Sequence, residues 1–75
     1  MEKKKPVKKI RIGKISAAIW DNQTEKGIFY NVTFDRTYYE GTNARSTDSF
    51  GQNDLLLLKK VSDMAFNWIV EKSSD

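Results

Sequence analysis

The sequence predicts an α+β domain: a curved antiparallel four-stranded sheet, in the order β-β-β-β-α, with one C-terminal helix packed on one face. Three observations carry this. Residues 53–72, NDLLLLKKVSDMAFNWIVEK, place apolar side chains at spacings of three and four, which is the period of an amphipathic helix. Residues 28–39, IFYNVTFDRTYY, are rich in aromatic and β-branched residues and alternate in character, as a strand does. Clusters of turn formers, DNQTEKG and EGTN, punctuate the rest at short intervals.

Taken in order, residues 1–9 read as a basic flexible arm, because Pro6 and the lysine run oppose regular structure. Residues 10–20 read as strand. Ile10 and Ile12 alternate, Gly13 intervenes, and Ile15, Ala17 and Ile19 alternate on the opposite parity. A parity switch at a glycine predicts a bulge or a tight bend between two short strands. Ser16, Ala18 and Trp20 then face away from the isoleucines. Residues 21–27 read as the loop of a hairpin.

In residues 28–39, Ile28, Tyr30, Val32 and Phe34 share the face that packs under the helix. Phe29, Asn31, Thr33, Asp35, Thr37 and Tyr39 share the other. Arg36 and Tyr38 continue the core parity, so the strand outruns the core there. Residues 40–43 form a second turn, and residues 44–50 a short polar strand that ends on Phe50. Gly51 or Asn53 can cap the helix, with Asp54 in its first turn. Leu57, Leu58, Val61, Met64, Ala65, Trp68 and Ile69 make the helix stripe. Leu55, Phe66 and Val70 fall off that stripe, and Leu56 lies nearly opposite it. Scattered surface apolar residues are normal; the sharper reading, favoured by the short chain, is a second contact face against a copy of the same helix. The domain thus covers residues 10–72, with residues 73–75 as a tail.

Size sharpens the dimer expectation. A chain of 75 residues buries only about 60% of its unfolded surface and is marginal without help. It holds no cysteine and no histidine. Disulfides are excluded, and so are the usual zinc sites. Oligomerisation is the remaining way to enlarge the core. No apolar segment follows the basic N-terminus, and the longest apolar run is far too short to span a bilayer. The expectation is a cytoplasmic protein with no membrane partner, no metal and no cofactor.

The net charge of +3 hides an asymmetry. Residues 1–14 hold seven basic side chains against Glu2, a net of +6, and the remaining six basic and nine acidic side chains make −3. A basic arm of this kind either neutralises phosphates or serves as a solubilising tail. Catalysis finds little support. There is no histidine or cysteine to act as base or nucleophile, no phosphate-cradling glycine loop, and the carboxylates sit mostly in turns and strand ends. No catalytic residue is assigned.

A binding surface fares better. The uncovered sheet face carries Ser16, Thr33, Asp35, Thr37 and Tyr39, with Trp20, Arg36, Tyr38 and Arg45 at its margins. Rings beside basic residues on a curved sheet suit single strands, because bases stack on the rings while cations track the phosphates. The same rings also serve as ordinary cross-strand packing. The expected nucleic-acid contacts are Lys8, Lys9, Arg11, Lys14, Trp20, Arg36, Tyr38 and Arg45; the expected dimer contacts are Leu55, Phe66 and Val70.

Three stretches together resemble a known family. The basic arm with RIGKISAAIW, the hairpin WDNQTEKGIFYNVTFDRTYYEG, and STDSFGQNDLLLLKKVSDM running into the helix look like the positive-cofactor-four family of transcriptional coactivators. The likeness spans residue 10 to about residue 69. It implies a homodimer joined partly through the helices, sheets that form channels for single-stranded DNA, and a role in transcription regulation. Lys14 matches the lysine at the start of the family's strand, Tyr38 falls near its strand-end aromatic, and Lys8, Lys9 and Arg11 match its basic tail.

Two functions follow from the residues. One is a dimer that binds single-stranded nucleic acid, with DNA and RNA both open. The other is a protein-interaction or assembly module, motivated by Leu55, Phe66, Val70 and the acidic body.

Overall fold

Alternating side chains and three two-residue turns build a meander. In the computed structural model, which describes residues 5–73, β1 (Lys8–Ile12), β2 (Ile15–Thr24), β3 (Gly27–Glu40) and β4 (Asn43–Thr47) lie side by side in that order. Every neighbouring pair is antiparallel. A 3-10 turn, Gln52–Asp54, leads into α1 (Leu55–Ser73). The expected α+β layout, an open four-stranded sheet with one C-terminal helix, is what the chain forms. Residues 1–4 of the basic arm and residues 74–75 of the tail lie outside the described residues.

The parity switch at Gly13 is a tight turn. Ile12 pairs with Ile15, and Gly13 takes φ +60°, a left-handed conformation that costs a side chain roughly 1–2 kcal/mol. Thr37 N–H donates to Lys14 O at 2.9 Å, which ties this turn to β3. The two strands therefore point Ile10, Ile15, Ala17 and Ile19 to one side, and all four are buried.

The helix meets that side. Val61 and Ala65 are its buried residues, and Leu57, Leu58, Trp68 and Ile69 pack around the buried cluster with Ile12, Tyr30, Val32, Phe34 and Phe50. The helix lies mainly over β1 and β2 and touches β3 less. Trp68 meets Tyr30 edge-on, with ring centroids 5.8 Å apart. Two layers over a broad sheet make a flat molecule, 45 × 33 × 15 Å.

Four expectations are corrected. Residues 21–24 are not loop: β2 runs through Thr24, because Asp21, Asn22 and Gln23 pair with Tyr30, Phe29 and Ile28. Only Glu25 and Lys26 form the turn, braced by Lys26 N–H donating to Thr24 Oγ1 at 3.2 Å. The arm gives up its last residues to the sheet: Lys8 and Lys9 pair with Ile19 and Ala18, and Val7 N–H donates to Ile19 O at 2.8 Å. The helix proper starts at Leu55 rather than Asn53. Gly51 caps the 3-10 turn before it, with Asp54 N–H donating to Gly51 O and Gly51 N–H donating to Asp54 Oδ2, both at 2.9 Å. Met64, assigned to the stripe, is exposed, since the helix rests on β1 and β2 through Val61 and Ala65.

Candidate nucleic-acid interface

The helix covers one sheet face and leaves the other open. Cross-strand partners share a face, so the register sorts the side chains without ambiguity. Lys9, Ala18 and Thr33 form one row across β1, β2 and β3; Arg11, Ser16 and Asp35 form the next. Further along lie Trp20 with Asn31, and Asn22 with Phe29. Toward β4 lie Thr37 with Ser46 and Tyr39 with Ala44. All of these point away from the helix.

Trp20 is fixed in place on this face. Its indole Nε1–H donates to Thr33 Oγ1 at 2.9 Å. Thr33 is not its direct partner but lies on β3 one row nearer the Lys9–Ala18 row, so the ring leans across the sheet toward β3, on the far side of β2 from the basic strand. The floor there is small, with Ser16, Ala18 and Thr33 between the cations of β1 and the acid of β3. This leaves a groove of about 470 Å³, which Lys9, Arg11 and Asp35 also line. Arg11 Nε donates to Gly13 O at 2.9 Å, which steers the guanidinium to the turn end of the groove. Phe29 and Tyr39 are 54% and 63% exposed, so the same face offers rings at both ends.

The expected contacts divide between the two faces. Lys9 and Arg11 come together along the groove, Trp20 shares the open face with them, and exposed Lys14 lies in the adjoining turn. Lys8, Arg36, Tyr38 and Arg45 point to the helix side, since they pair in register with Ile19, Thr47 and each other. Arg36, Tyr38 and Arg45 are thus not at the margin of the open face where they were expected. Arg36 is engaged there already: Nε donates to Ser49 O at 3.0 Å and stands 3.4 Å from Asp54 Oδ2, while its guanidinium carbon lies 5.9 Å from the Tyr38 ring centroid. Arg45 pairs with Glu40 at 3.5 Å on the exposed end of the sheet. Phe29 and Asn31 were not among the expected contacts, yet they extend the open face. The signal for them is the short Glu25–Lys26 turn, which fixes the register of β2 against β3.

The helix-side calculus differs for Leu55, Phe66 and Val70. They are 52%, 64% and 44% exposed, and Leu56 is 79% exposed. Leu56 and Phe66 border a depression of about 600 Å³ on the outer helix face, together with Lys59, Lys60 and Asp63.

Among the described residues, no group of three or more histidine, cysteine, aspartate or glutamate side chains is placed to hold a metal, and no helix is long and apolar enough to cross a membrane. Comparison of the chain with protein-family models, with curated proteins and with solved structures returns no match.

Proposed function

We propose that this protein binds single-stranded nucleic acid on the open face of its sheet, as a dimer joined through the outer face of its helix. The observation that carries this reading is Trp20, pinned to Thr33 by a 2.9 Å hydrogen bond on the same face as Lys9 and Arg11. A ring fixed on the same sheet face as two cations offers a stacking platform and phosphate partners on one surface. Lys9 and Arg11 stand two residues apart on an edge strand, about 6.8 Å along it, a spacing comparable to that of successive phosphates in an extended strand. The face is shallow and carries small side chains at its centre, which suits unpaired bases better than a duplex. Regulation of transcription is the process that the resemblance suggests.

The test is a titration of the full chain with a thymine-only oligonucleotide and with a duplex of equal length, at several salt concentrations. The reading expects preference for the single strand and a log–log salt slope of roughly −2, for about three neutralised phosphates at −0.7 each. No binding at low salt sinks it.

The exposed apolar residues of the helix support the second reading, an assembly module. If the chain dimerises but ignores nucleic acid, that reading stands in its place.

A further inference from the structure

Asp35 is a carboxylate on the β3 side of a groove whose other charges, Lys9 and Arg11, lie on β1. The residue is exposed, and its carboxylate forms no hydrogen bond or ion pair among the described residues. An acid is an odd occupant of a phosphate site, and its position limits how a strand can lie. We propose that Asp35 makes the open face selective for guanine at one nucleotide position. This rests on the single-strand reading above.

The register supplies the geometry. Arg11, Ser16 and Asp35 lie in one row across β1, β2 and β3, so Asp35 is two inter-strand spacings, about 9.6 Å, from the basic edge. The carboxylate repels phosphates, and Lys9 and Arg11 attract them. The sugar–phosphate backbone therefore runs along β1, and the bases point inward across β2. Ser16 and Ala18 are small enough to let a base lie over them. Its outer edge then arrives at Asp35.

An ionised carboxylate only accepts hydrogen bonds, so it favours the base edge with adjacent donors. Guanine presents N1–H and the N2 amine side by side, which match the two carboxylate oxygens. Its O6 is left for the Ser16 hydroxyl or for Arg11, which has N–H donors beyond the Nε bonded to Gly13 O. Cytosine and adenine present one amine beside an acceptor nitrogen. Thymine and uracil present a single N–H between two carbonyls, and those carbonyls face the carboxylate unfavourably. Bases splayed out of a single strand are commonly read on this edge.

The experiment is fluorescence anisotropy with the full chain and four labelled twelve-nucleotide strands. One is thymine-only; the others repeat thymine-thymine-guanine, thymine-thymine-adenine and thymine-thymine-inosine, inosine lacking the N2 amine. The guanine repeat should bind about 5- to 10-fold tighter than the thymine strand, as a bidentate pair discriminates, and the inosine repeat should fall between them. Asp35→Asn and Asp35→Ala should erase the difference while leaving affinity for the thymine strand unchanged or higher. Equal affinity of the wild-type chain for the thymine and guanine strands overturns guanine selection and leaves single-strand binding intact. Persistence of the guanine preference in both Asp35 variants also overturns it. Failure of every strand to bind overturns the single-strand reading itself, and the selectivity with it.

Discussion

Arg36 Nε stands 3.4 Å from Asp54 Oδ2, so a side chain in the middle of β3 holds the turn that launches the helix. The same carboxylate oxygen accepts Gly51 N–H at 2.9 Å, and the same Nε donates to Ser49 O. Both side chains are about three-quarters buried, at 27% and 23% exposure. Arg36→Ala should therefore destabilise the fold by about 1–2 kcal/mol, a charge-assisted bond to a carbonyl plus a partly screened ion pair. Urea denaturation reads this directly. Arg36→Lys keeps the charge without the planar fork and should recover little. Neither change should alter the salt slope of nucleic-acid binding; a reduction by about 0.7, one phosphate contact, would return Arg36 to the binding surface.

Trp20 is the side chain on which the proposed stacking depends. Trp20→Ala should weaken binding to a thymine strand by about 1–3 kcal/mol. Thr33→Val removes the hydroxyl that holds the indole and should weaken binding less, through loss of preorganisation. In a Trp68→Phe background Trp20 is the sole tryptophan, so quenching of its fluorescence on titration reports contact with bases. An unquenched signal at saturating oligonucleotide would remove Trp20 from the interface.

Much of this face was legible in the sequence, because strand parity is local. The alternation through Val32, Thr33, Phe34 and Asp35 assigns two faces before any partner is known, and the isoleucines on either side of Gly13 do the same. What could not be read locally is pairing. Asp21, Asn22 and Gln23 are turn formers by composition, yet they are strand because Ile28, Phe29 and Tyr30 lie opposite. Lys8 and Lys9 look like arm, yet ladder bonds to β2 outweigh their charge. Arg36 looked like a free cation because nothing in the sequence shows that Ser49 and Asp54 fold back onto it. Met64 fits the helix period, but the helix meets β1 and β2 along a narrower line than the period allows.

Gly13 makes a cleaner test of the turn. A Cβ there would meet Leu57 Cδ1 at 3.8 Å, an ordinary contact, so any cost of Gly13→Ala comes from the positive φ alone. The expected loss is about 1–2 kcal/mol, and Gly13→Asn should restore part of it, since asparagine tolerates this region. Thermal unfolding of the two variants checks the order.

The buried core is small enough for one residue to decide folding. Ile19 is fully buried, one of only six buried residues among those described, and Ile19→Ala should cost about 2–5 kcal/mol. A chain of 75 residues has roughly 4–11 kcal/mol in all. The variant should thus sit near its unfolding midpoint at 37 °C, visible as lost ellipticity. Full native signal there would mean that much of the stability lies outside the protomer core.

That outside contribution is where the helix face enters. Phe66 is 64% exposed and Leu56 79%, so Phe66→Glu removes little packing within one protomer. In a two-fold dimer each substitution acts twice. Losing about 2 kcal/mol of apolar burial per side chain then makes about 4 kcal/mol, or roughly a thousandfold in the dimer dissociation constant. Analytical ultracentrifugation should show the wild-type chain as a dimer and Phe66→Glu as a monomer at the same concentration. The melting temperature of the wild type should rise with protein concentration, as it must when the native state is the one that associates, and that of the variant should not. A wild-type chain that stays monomeric at high concentration would leave this face without a role in self-association.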